Sequence, residues 1–262
     1  MSLAATHPGE VFDRVRTKLE DLVDQVTSKP FTGETISWEE AVERMVDARP
    51  ERDGVDARAV DTILNEAELS ALEVDLRRKI RGLASGGPFR TSHNADFGLA
   101  RLCYLACRLF HPAVVVETGV CYGVTSSFIL TALTKNGAGI LHSVDLPPLA
   151  DNGPAFVGAL VPEEVRERWR LHRGPVRRIL PKLLASLGEV NMFVHDSLHT
   201  YATMSFEFKL VGRHLGPRSV VFADDVGGNM AFPAWLKNAK PEFSAIVRER
   251  DKDSAFGVSL LP

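Results

Sequence analysis

The sequence lacks several features that would mark it as secreted, membrane-bound or nucleic-acid-binding. It has three cysteines in 262 residues, and an odd number without paired spacing fits a reducing cytoplasm better than a disulfide framework. No apolar run approaches the ~18 residues of a membrane span. The start of the chain lacks the basic and then apolar regions of a signal peptide, so we expect a cytoplasmic protein. A net charge of −3 gives no strong attraction to nucleic acid or to anionic membranes.

What is present is the composition of a globular protein. Apolar residues make up 45% of the chain and charged residues 25%, which is enough to build a full hydrophobic core. A length of 262 residues accommodates one α/β domain with an additional segment, or two small domains.

The first part of the chain shows helical periodicity and no convincing strand. The apolar positions of its first helix are Val11, Val15, Leu19, Leu22 and Val26, with the spacings of three and four that are typical of an amphipathic helix. Ser37 followed by Glu40 is a capping-box signal for a second helix, and the apolar period from Val60 to Leu83 predicts one longer third helix. A glycine- and proline-containing break follows. It divides the chain into an N-terminal helical segment, residues 1–85, and a domain at 86–262.

In the second part, short β-branched runs alternate with helical stretches. The runs are Ala113–Glu117, Gly139–Asp145, Arg168–His172, Val190–His195, Ser219–Ala223, Phe243–Arg250 and Ala255–Leu260. Helical patterns lie at Phe97–Phe110 and near 125–135, 177–187 and 202–215. This alternation predicts an α/β fold with a mostly parallel seven-stranded sheet, whose last two strands form an antiparallel hairpin. Because such sheets bind ligands at the carboxyl ends of their strands, functional residues are expected just after each run.

The first predicted strand ends in a glycine-bearing turn. Glu117 closes the strand, Gly119 and Gly123 follow, and a helix opens at about Thr125. Glycine lets a ligand approach the backbone, and a carboxylate at Glu117 suits an ammonium group or a hydroxyl but repels a pyrophosphate. The three-glycine dinucleotide pattern is absent, because Cys121 occupies its middle position. The turn indicates a nucleoside site without a pyrophosphate or, taken alone, an ordinary strand-to-helix connection.

The second predicted strand ends in Asp145. An acidic residue at this point commonly accepts hydrogen bonds from the ribose hydroxyls of a bound nucleoside, and its charge disfavours a ribose phosphate. The alternative is a carboxylate that only caps the following loop. With the glycine turn upstream, ribose binding is the better interpretation.

Three carboxylates follow two later strands. Asp196 comes after Val190–His195, and Asp224 and Asp225 come after Ser219–Ala223. If these strands are neighbours, their backbones lie ~4.8 Å apart, and the acids repel one another unless a cation compensates. Oxygen ligands favour magnesium, manganese or calcium over zinc. The alternative is that the three acids cap loops and hold no metal.

Together these residues resemble the class I, S-adenosylmethionine-dependent O-methyltransferases, which have a Rossmann-like fold. The fit is best to metal-dependent enzymes of the catechol O-methyltransferase kind and to sugar O-methyltransferases of natural-product pathways. Val115–Ser126 is similar to the first motif of that family, and Val144–Asp145 to its ribose-binding motif. Phe193–His199 and Phe222–Val226 resemble its two metal-bearing segments. The first 85 residues match nothing in it.

The resemblance implies a role for each matched residue. It assigns metal binding to Asp196, Asp224 and Asp225, the last of which stands where the family has Asn. It assigns catalysis to His199, as the base, together with Asp196; His195 should point to the opposite face of its strand. The residues that it assigns to S-adenosylmethionine are Glu117, Thr118, Gly119, Tyr122, Gly123, Thr125, Ser126 and Asp145.

The expected function is O-methylation of a small molecule with S-adenosylmethionine as donor and Mg²⁺ as the expected metal. A metal that grips two adjacent oxygens favours a vicinal diol, a sugar or a catechol as acceptor. The N-terminal helices are expected to form a lid, an acceptor wall or the contact of a homodimer, because their apolar stripes must be buried. No nucleic acid or membrane partner is expected.

Two other function classes compete with this one. A dehydrogenase or nucleotide-sugar enzyme on the same fold predicts the three-glycine pattern and, in many cases, a Tyr–Lys pair at catalytic spacing, and neither is evident. A non-catalytic nucleoside-binding module would keep the glycine turn and lose the chemistry. The presence of Asp196, His199, Asp224 and Asp225 argues against that module.

Overall fold

A computed structural model describes residues 8–48, 57–83, 88–89, 96–149, 153–249 and 254–262 of the chain. The predicted break after the third helix and the loop between the last two predicted strands therefore lie largely outside the described residues. Among the described helices, none combines the length and the apolarity needed to cross a bilayer.

Seven strands form one sheet. They are β1 (Val114–Thr118), β2 (Ile140–Asp145), β3 (Trp169–Arg173), β4 (Val190–His195), β5 (Leu215–Ala223), β6 (Phe243–Arg248) and β7 (Ala255–Leu260). The largest departure from the predicted bounds is in β5, which begins at Leu215 rather than Ser219. Leu215 pairs with Val190, and a register irregularity follows before the regular ladder begins. The glycine and proline in that irregular stretch concealed it in the sequence.

The order of the strands confirms the predicted fold class. It is β3-β2-β1-β4-β5-β7-β6. β1, β2, β3, β4 and β5 pair in parallel, and β7 lies antiparallel to both β5 and β6. This is the mostly parallel, Rossmann-like arrangement with a C-terminal antiparallel pair. The strand order reverses between β1 and β4, and that switch point is where such sheets bind ligands.

Helices connect the strands and precede them. They are α1 (Pro8–Thr27), α2 (Trp38–Asp47), α3 (Ala57–Leu64), α4 (Ala67–Leu83), α5 (Phe97–Phe110), α6 (Val124–Asn136), α7 (Gly153–Phe156), α8 (Val176–Leu187), α9 (Tyr201–Val211) and α10 (Ala231–Ala239). Short 3₁₀ turns lie at Glu163–Arg168 and Val226–Gly228. The predicted cap of α2 is present, since the Ser37 hydroxyl accepts a hydrogen bond from the backbone N–H of Glu40 at 3.1 Å.

One predicted helix is wrong: the apolar period from Val60 to Leu83 covers two helices, α3 and α4. Asn65 and Glu66 separate the two helices. The Glu66 carboxylate lies 2.9 Å from the Arg108 guanidinium and accepts a hydrogen bond from the Tyr104 hydroxyl. These contacts fix the break against α5, and only the folded chain reveals them, because the apolar spacing continues across it.

The core lies in two layers, one on each face of the sheet. Successive residues of β1 belong to different layers: Val115 packs with α5 and α6, whereas Val116 packs with α8 and α9. Leu69 and Leu76 of α4 are fully buried in the first layer. The N-terminal helices α2 to α4 therefore share the core of the sheet, while α1 crosses its carboxyl edge.

Candidate active site

A cavity of about 730 Å³ opens at the carboxyl edge of the sheet, where β1, β2, β4 and β5 end. This volume is in the range of small-molecule sites. Its floor comes from the residues that follow these strands, namely Gly119–Cys121, Asp145, Asp196–Thr200 and Asp224–Asp225. Its opposite wall is α1, which contributes Asp13, Arg16, Thr17, Asp21, Asp24 and Gln25. The strand-end residues therefore converge as the sequence predicts.

The glycine turn and Asp145 form one end of the cavity. Asp145 Oδ2 accepts hydrogen bonds from the backbone N–H groups of Val120, at 2.7 Å, and Cys121, at 3.1 Å. Burial raises the pKa of Asp145, although these two bonds and the nearby Arg14 act to lower it. The carboxylate thus both caps the turn and lines the cavity. The loop that it caps is the glycine turn and not the following loop, and ribose binding stays a prediction.

Gly119 has φ +83° and packs against the backbone of Asp196 and Ser197. A Cβ atom on this residue would lie 1.8 Å from the carbonyl oxygen of Asp196, so no larger residue fits. Gly123, at φ +90°, faces the chain at Gly158 and Val161 in the same way. Both glycines are required by contact between backbone segments, and Gly119 also lines the cavity.

Glu117 lies beneath the turn and not in the cavity. It is 1% exposed, and its Oε2 accepts hydrogen bonds from the hydroxyls of Ser126, at 2.7 Å, and Ser143, at 2.6 Å. Burial raises the pKa of Glu117 to about 7, against the opposing effect of these two bonds. Its direct role in the fold is to tie β1 to β2 and to the start of α6.

The other residues assigned to the donor are also buried behind the turn. The Thr118 hydroxyl donates to Glu207 at 2.5 Å, and Thr125 is 3% exposed. Tyr122 is fully buried, donates to the Phe89 carbonyl at 3.0 Å and packs edge-on against the Phe89 ring. Tyr122 therefore reaches the cavity only through Phe89, which lines it. Of the predicted donor contacts, Gly119 and Asp145 line the cavity.

The acidic cluster forms the other end of the cavity. One ligand atom from each of Asp196, His199 and Asp224 lies within 4.8 Å of the other two. Asp224 Oδ1 and His199 Nε2 are buried and have no hydrogen-bond partner within the part of the chain that the structure describes. Burial and the charge of Asp224 raise the pKa of Asp196 well above its ordinary value. Such repulsion between unsatisfied groups is what a bound cation relieves.

The structure divides the predicted ligands between two groups that share Asp224: Asp196 lies with His199 and Asp224, and Asp225 lies with Asp224 and Glu249. Asp225 has φ +50°, and its Oδ2 lies 2.9 Å from His199 Nδ1. Its other oxygen accepts a hydrogen bond from Ser254. A carboxylate on the far nitrogen of a ligating histidine fixes the direction of the imidazole. Glu249 reaches the same edge, and no motif in the sequence indicates this.

Of the groups in this cluster, His199 has the ordinary pKa nearest to neutral, 6.5. Burial lowers its pKa, but the contacts with Asp196 and Asp225 and the charge of Asp224 outweigh it and raise the pKa to about 10. The imidazole is therefore protonated at neutral pH when no metal is bound.

His195 points away from the cavity, as predicted from its position before Asp196. It is fully buried, and its Nδ1 lies 2.8 Å from Glu207 Oε2. Glu207 also accepts hydrogen bonds from Thr118 and, at 2.7 Å, from the Ser197 hydroxyl. This carboxylate joins the ends of β1 and β4 to the loop that carries His199.

Residues 116–226 match the model of a protein family described as a methyltransferase domain. The match runs from β1 to the turn after β5 and includes the glycine turn, Asp145 and the acidic cluster. It confirms the predicted resemblance to class I methyltransferases for this domain. Comparison with curated protein sequences gives no significant match.

Solved structures share the fold at low sequence identity. The O-methyltransferase TomG from Streptomyces achromogenes, solved with SAM, is 16% identical at a TM-score of 0.55, over 75% of this chain and 90% of that one. An O-methyltransferase from Bacillus cereus, solved with SAH, is 10% identical at 0.56, over 79% and 96%. Rv0187 from MTB, solved with its cofactor, is 15% identical at 0.55, over 81% and 98%.

Proposed function

We propose, from the methyltransferase domain that residues 116–226 form, that this chain transfers the methyl group of S-adenosylmethionine to a hydroxyl of a small molecule. One observation carries the proposal: a single cavity joins a nucleoside-type end, at Gly119 and Asp145, to the acidic cluster. A donor bound at the first end presents its sulfonium toward the second.

We further propose that Asp196 and Asp224 hold a divalent cation, with His199 Nε2 facing the same point. The unsatisfied oxygen of Asp224 and the repulsion between the two acids support this assignment. Carboxylate oxygens suit Mn²⁺ as well as the expected Mg²⁺, and this arrangement leaves Nε2 of His199 able to accept a proton. A hydroxyl held against such a cation has a lower pKa and a fixed direction.

Each residue at the two ends of the cavity then has a separate role in the reaction. Asp145 receives the ribose hydroxyls, and the turn at Gly119 allows the donor to approach the backbone. Holding the methyl group and the acceptor oxygen ~3 Å apart and in line contributes up to roughly 7–11 kcal/mol. His199, once deprotonated, takes the proton of the acceptor hydroxyl at Nε2, and Asp225 holds the ring in position.

The wall formed by α1 favours a sugar-like acceptor over a flat catechol. Thr17, Asp21, Asp24 and Gln25 line the cavity from that side, and all of them offer hydrogen-bonding groups. A polyhydroxylated ring would offer them hydroxyls as hydrogen-bond partners, whereas the face of an aromatic ring would not. The two adjacent oxygens of a vicinal diol could also both coordinate a cation bound beside Asp224.

Calorimetry followed by mass spectrometry tests the proposal. The protein should bind S-adenosylmethionine and not NAD, and a panel of diols and sugars should gain the mass of one methyl group. Asp224→Asn should reduce this turnover at least about 100-fold with donor affinity nearly unchanged, whereas the exposed Glu189→Gln should have no effect. Preferential NAD binding would remove the assignment. Full turnover in the presence of a chelator, or by Asp224→Asn, would refute the assignment of a metal.

A further inference from the structure

The Glu207 carboxylate is fully buried and lies behind the candidate active site. It is carried by α9, the helix that begins directly after the loop of Asp196 and His199. Taking a charge out of water is costly unless hydrogen bonds and an opposite charge compensate for it. The residues that contact Glu207 therefore determine why a carboxylate stands at this point of the core.

Three side chains contact Glu207, and two of them flank Asp196. Oε1 of Glu207 accepts a hydrogen bond from the Ser197 hydroxyl at 2.7 Å, and Ser197 directly follows Asp196. Oε2 lies 2.8 Å from Nδ1 of His195, the residue before Asp196. Oε2 also accepts a hydrogen bond at 2.5 Å from Thr118, the last residue of β1. One carboxylate thus holds the chain on both sides of Asp196 and ties it to the end of β1.

His195 extends this support to His199. The two imidazole rings meet edge to face, with their centroids 5.6 Å apart. His195 is fully buried and its Nδ1 is directed at Glu207, so its ring cannot turn without losing that contact. The His199 ring therefore packs against a surface that Glu207 fixes, while Asp225 contacts the same ring at Nδ1.

The contacts of Glu207 form one network rather than three separate bonds. Burial raises the pKa of Glu207, but His195, Ser197 and Thr118 outweigh it and hold that pKa below its ordinary value. Hydrogen bonds to an ionised acceptor are about twice as strong as those between neutral groups. Because all three donors share one buried carboxylate, the loss of the carboxylate affects all of them together.

We propose that Glu207 is a positioning residue, which sets the places of Asp196 and His199 for the cation without contacting the cation or the substrate. The inference rests on the proposed metal site. Groups that fix the direction of metal ligands typically change metal affinity by roughly 10–100-fold when they are removed. Asp225 contacts His199 directly, whereas Glu207 acts from the interior of the protein, through the residues on both sides of Asp196.

Calorimetry of the full chain with Mn²⁺ alone tests this role. Ser197→Ala and Glu207→Gln should each raise the Mn²⁺ dissociation constant at least about tenfold. The double variant should bind about as tightly as the weaker single variant, because both substitutions remove the same contact. The matched control is Ser219→Ala. The buried Ser219 hydroxyl contacts the carbonyl oxygens of Val190, at 2.8 Å, and Gly216, at 2.7 Å, at the amino end of β4, so its loss should lower thermal stability and leave Mn²⁺ affinity unchanged.

The outcomes separate this role from the proposed function. A wild type that binds no Mn²⁺ would refute the metal site, and the role of Glu207 with it. Equal Mn²⁺ affinity of the wild type and both single variants would refute the role of Glu207 alone. Effects that multiply in the double variant, or an equal loss of affinity in Ser219→Ala, would also refute it, because they indicate independent or general effects. Should Glu207→Gln fail to fold, the comparison of Ser197→Ala with Ser219→Ala still decides.

Discussion

Replacement of Glu117 by glutamine tests the electrostatics beneath the candidate active site. The side chain is buried, and among the described residues two serine hydroxyls donate hydrogen bonds to it. Burial raises the pKa of Glu117 from 4.5 to about 7. Glutamine has nearly the same shape and cannot ionise, so the substitution removes the titration while retaining most of the packing.

The sign of the effect follows from the raised pKa. A group that holds its proton more tightly in the folded state contributes stability that is fully present below its unfolded pKa, 4.5, and is lost as the pH rises through about 7. A difference of that size corresponds to on the order of 3 kcal/mol. The wild type loses this contribution between pH 5 and pH 8, and Glu117→Gln does not.

Urea unfolding at pH 5 and pH 8 measures the difference. The free energy of unfolding of Glu117→Gln, relative to wild type, should rise by a few kcal/mol between the two. Glu207→Gln is the control. Burial raises the pKa of Glu207, but His195, Ser197 and Thr118 outweigh it and hold that pKa below 4.5. Its own contribution disappears only as the pH falls below that range, so its difference should change less between pH 5 and pH 8 than that of Glu117→Gln. A constant difference for Glu117→Gln would refute the reasoning.

Three further changes test the two ends of the site. Asp145→Ala should weaken S-adenosylmethionine binding at least about tenfold and leave Mn²⁺ binding unchanged by calorimetry; the reverse pattern would contradict its role. Gly119→Ala should lower both thermal stability and Mn²⁺ affinity, because its Cβ meets Asp196. The control is Gly137→Ala, at φ +67° in open space, which should lower the free energy of unfolding by only ~1–2 kcal/mol. Mn²⁺ binding at pH 7.5 should release roughly one proton from His199, measured as a buffer dependence of the binding enthalpy. His199→Asn should release about one proton fewer.

Much of the fold could be predicted because its signals are local. β-branched runs such as those of β4 and β7 are bounded by turn residues, and both strands occur at their predicted limits. The break between α3 and α4 could not be predicted, since it depends on the contact of Glu66 with Arg108. Two residues remote in sequence determine it, and the local apolar period gives no indication of either.

The candidate site was predictable in position and less so in detail. Strand ends meet at one edge, which places Asp145, Asp196 and Asp224 together whatever the loops do. The role of Asp225 depends on a positive φ that turns its carboxylate toward His199. Glu249 reaches the edge because β6 runs in the same direction as β5, a fact of pairing that no motif records. Side-chain direction after a strand is a property of the tertiary structure.

The polar docking of α1 makes one wall of the cavity sensitive to ionic strength. The carboxylates of Asp13 and Glu20 meet Arg178 and Arg177 at partly exposed positions, where dissolved ions weaken attraction over ~8–10 Å. The sheet floor is held by apolar burial and does not share this sensitivity. Added salt should thus loosen the α1 wall before it affects the floor of the cavity. Access of the acceptor should therefore change at salt concentrations at which the donor end is still intact.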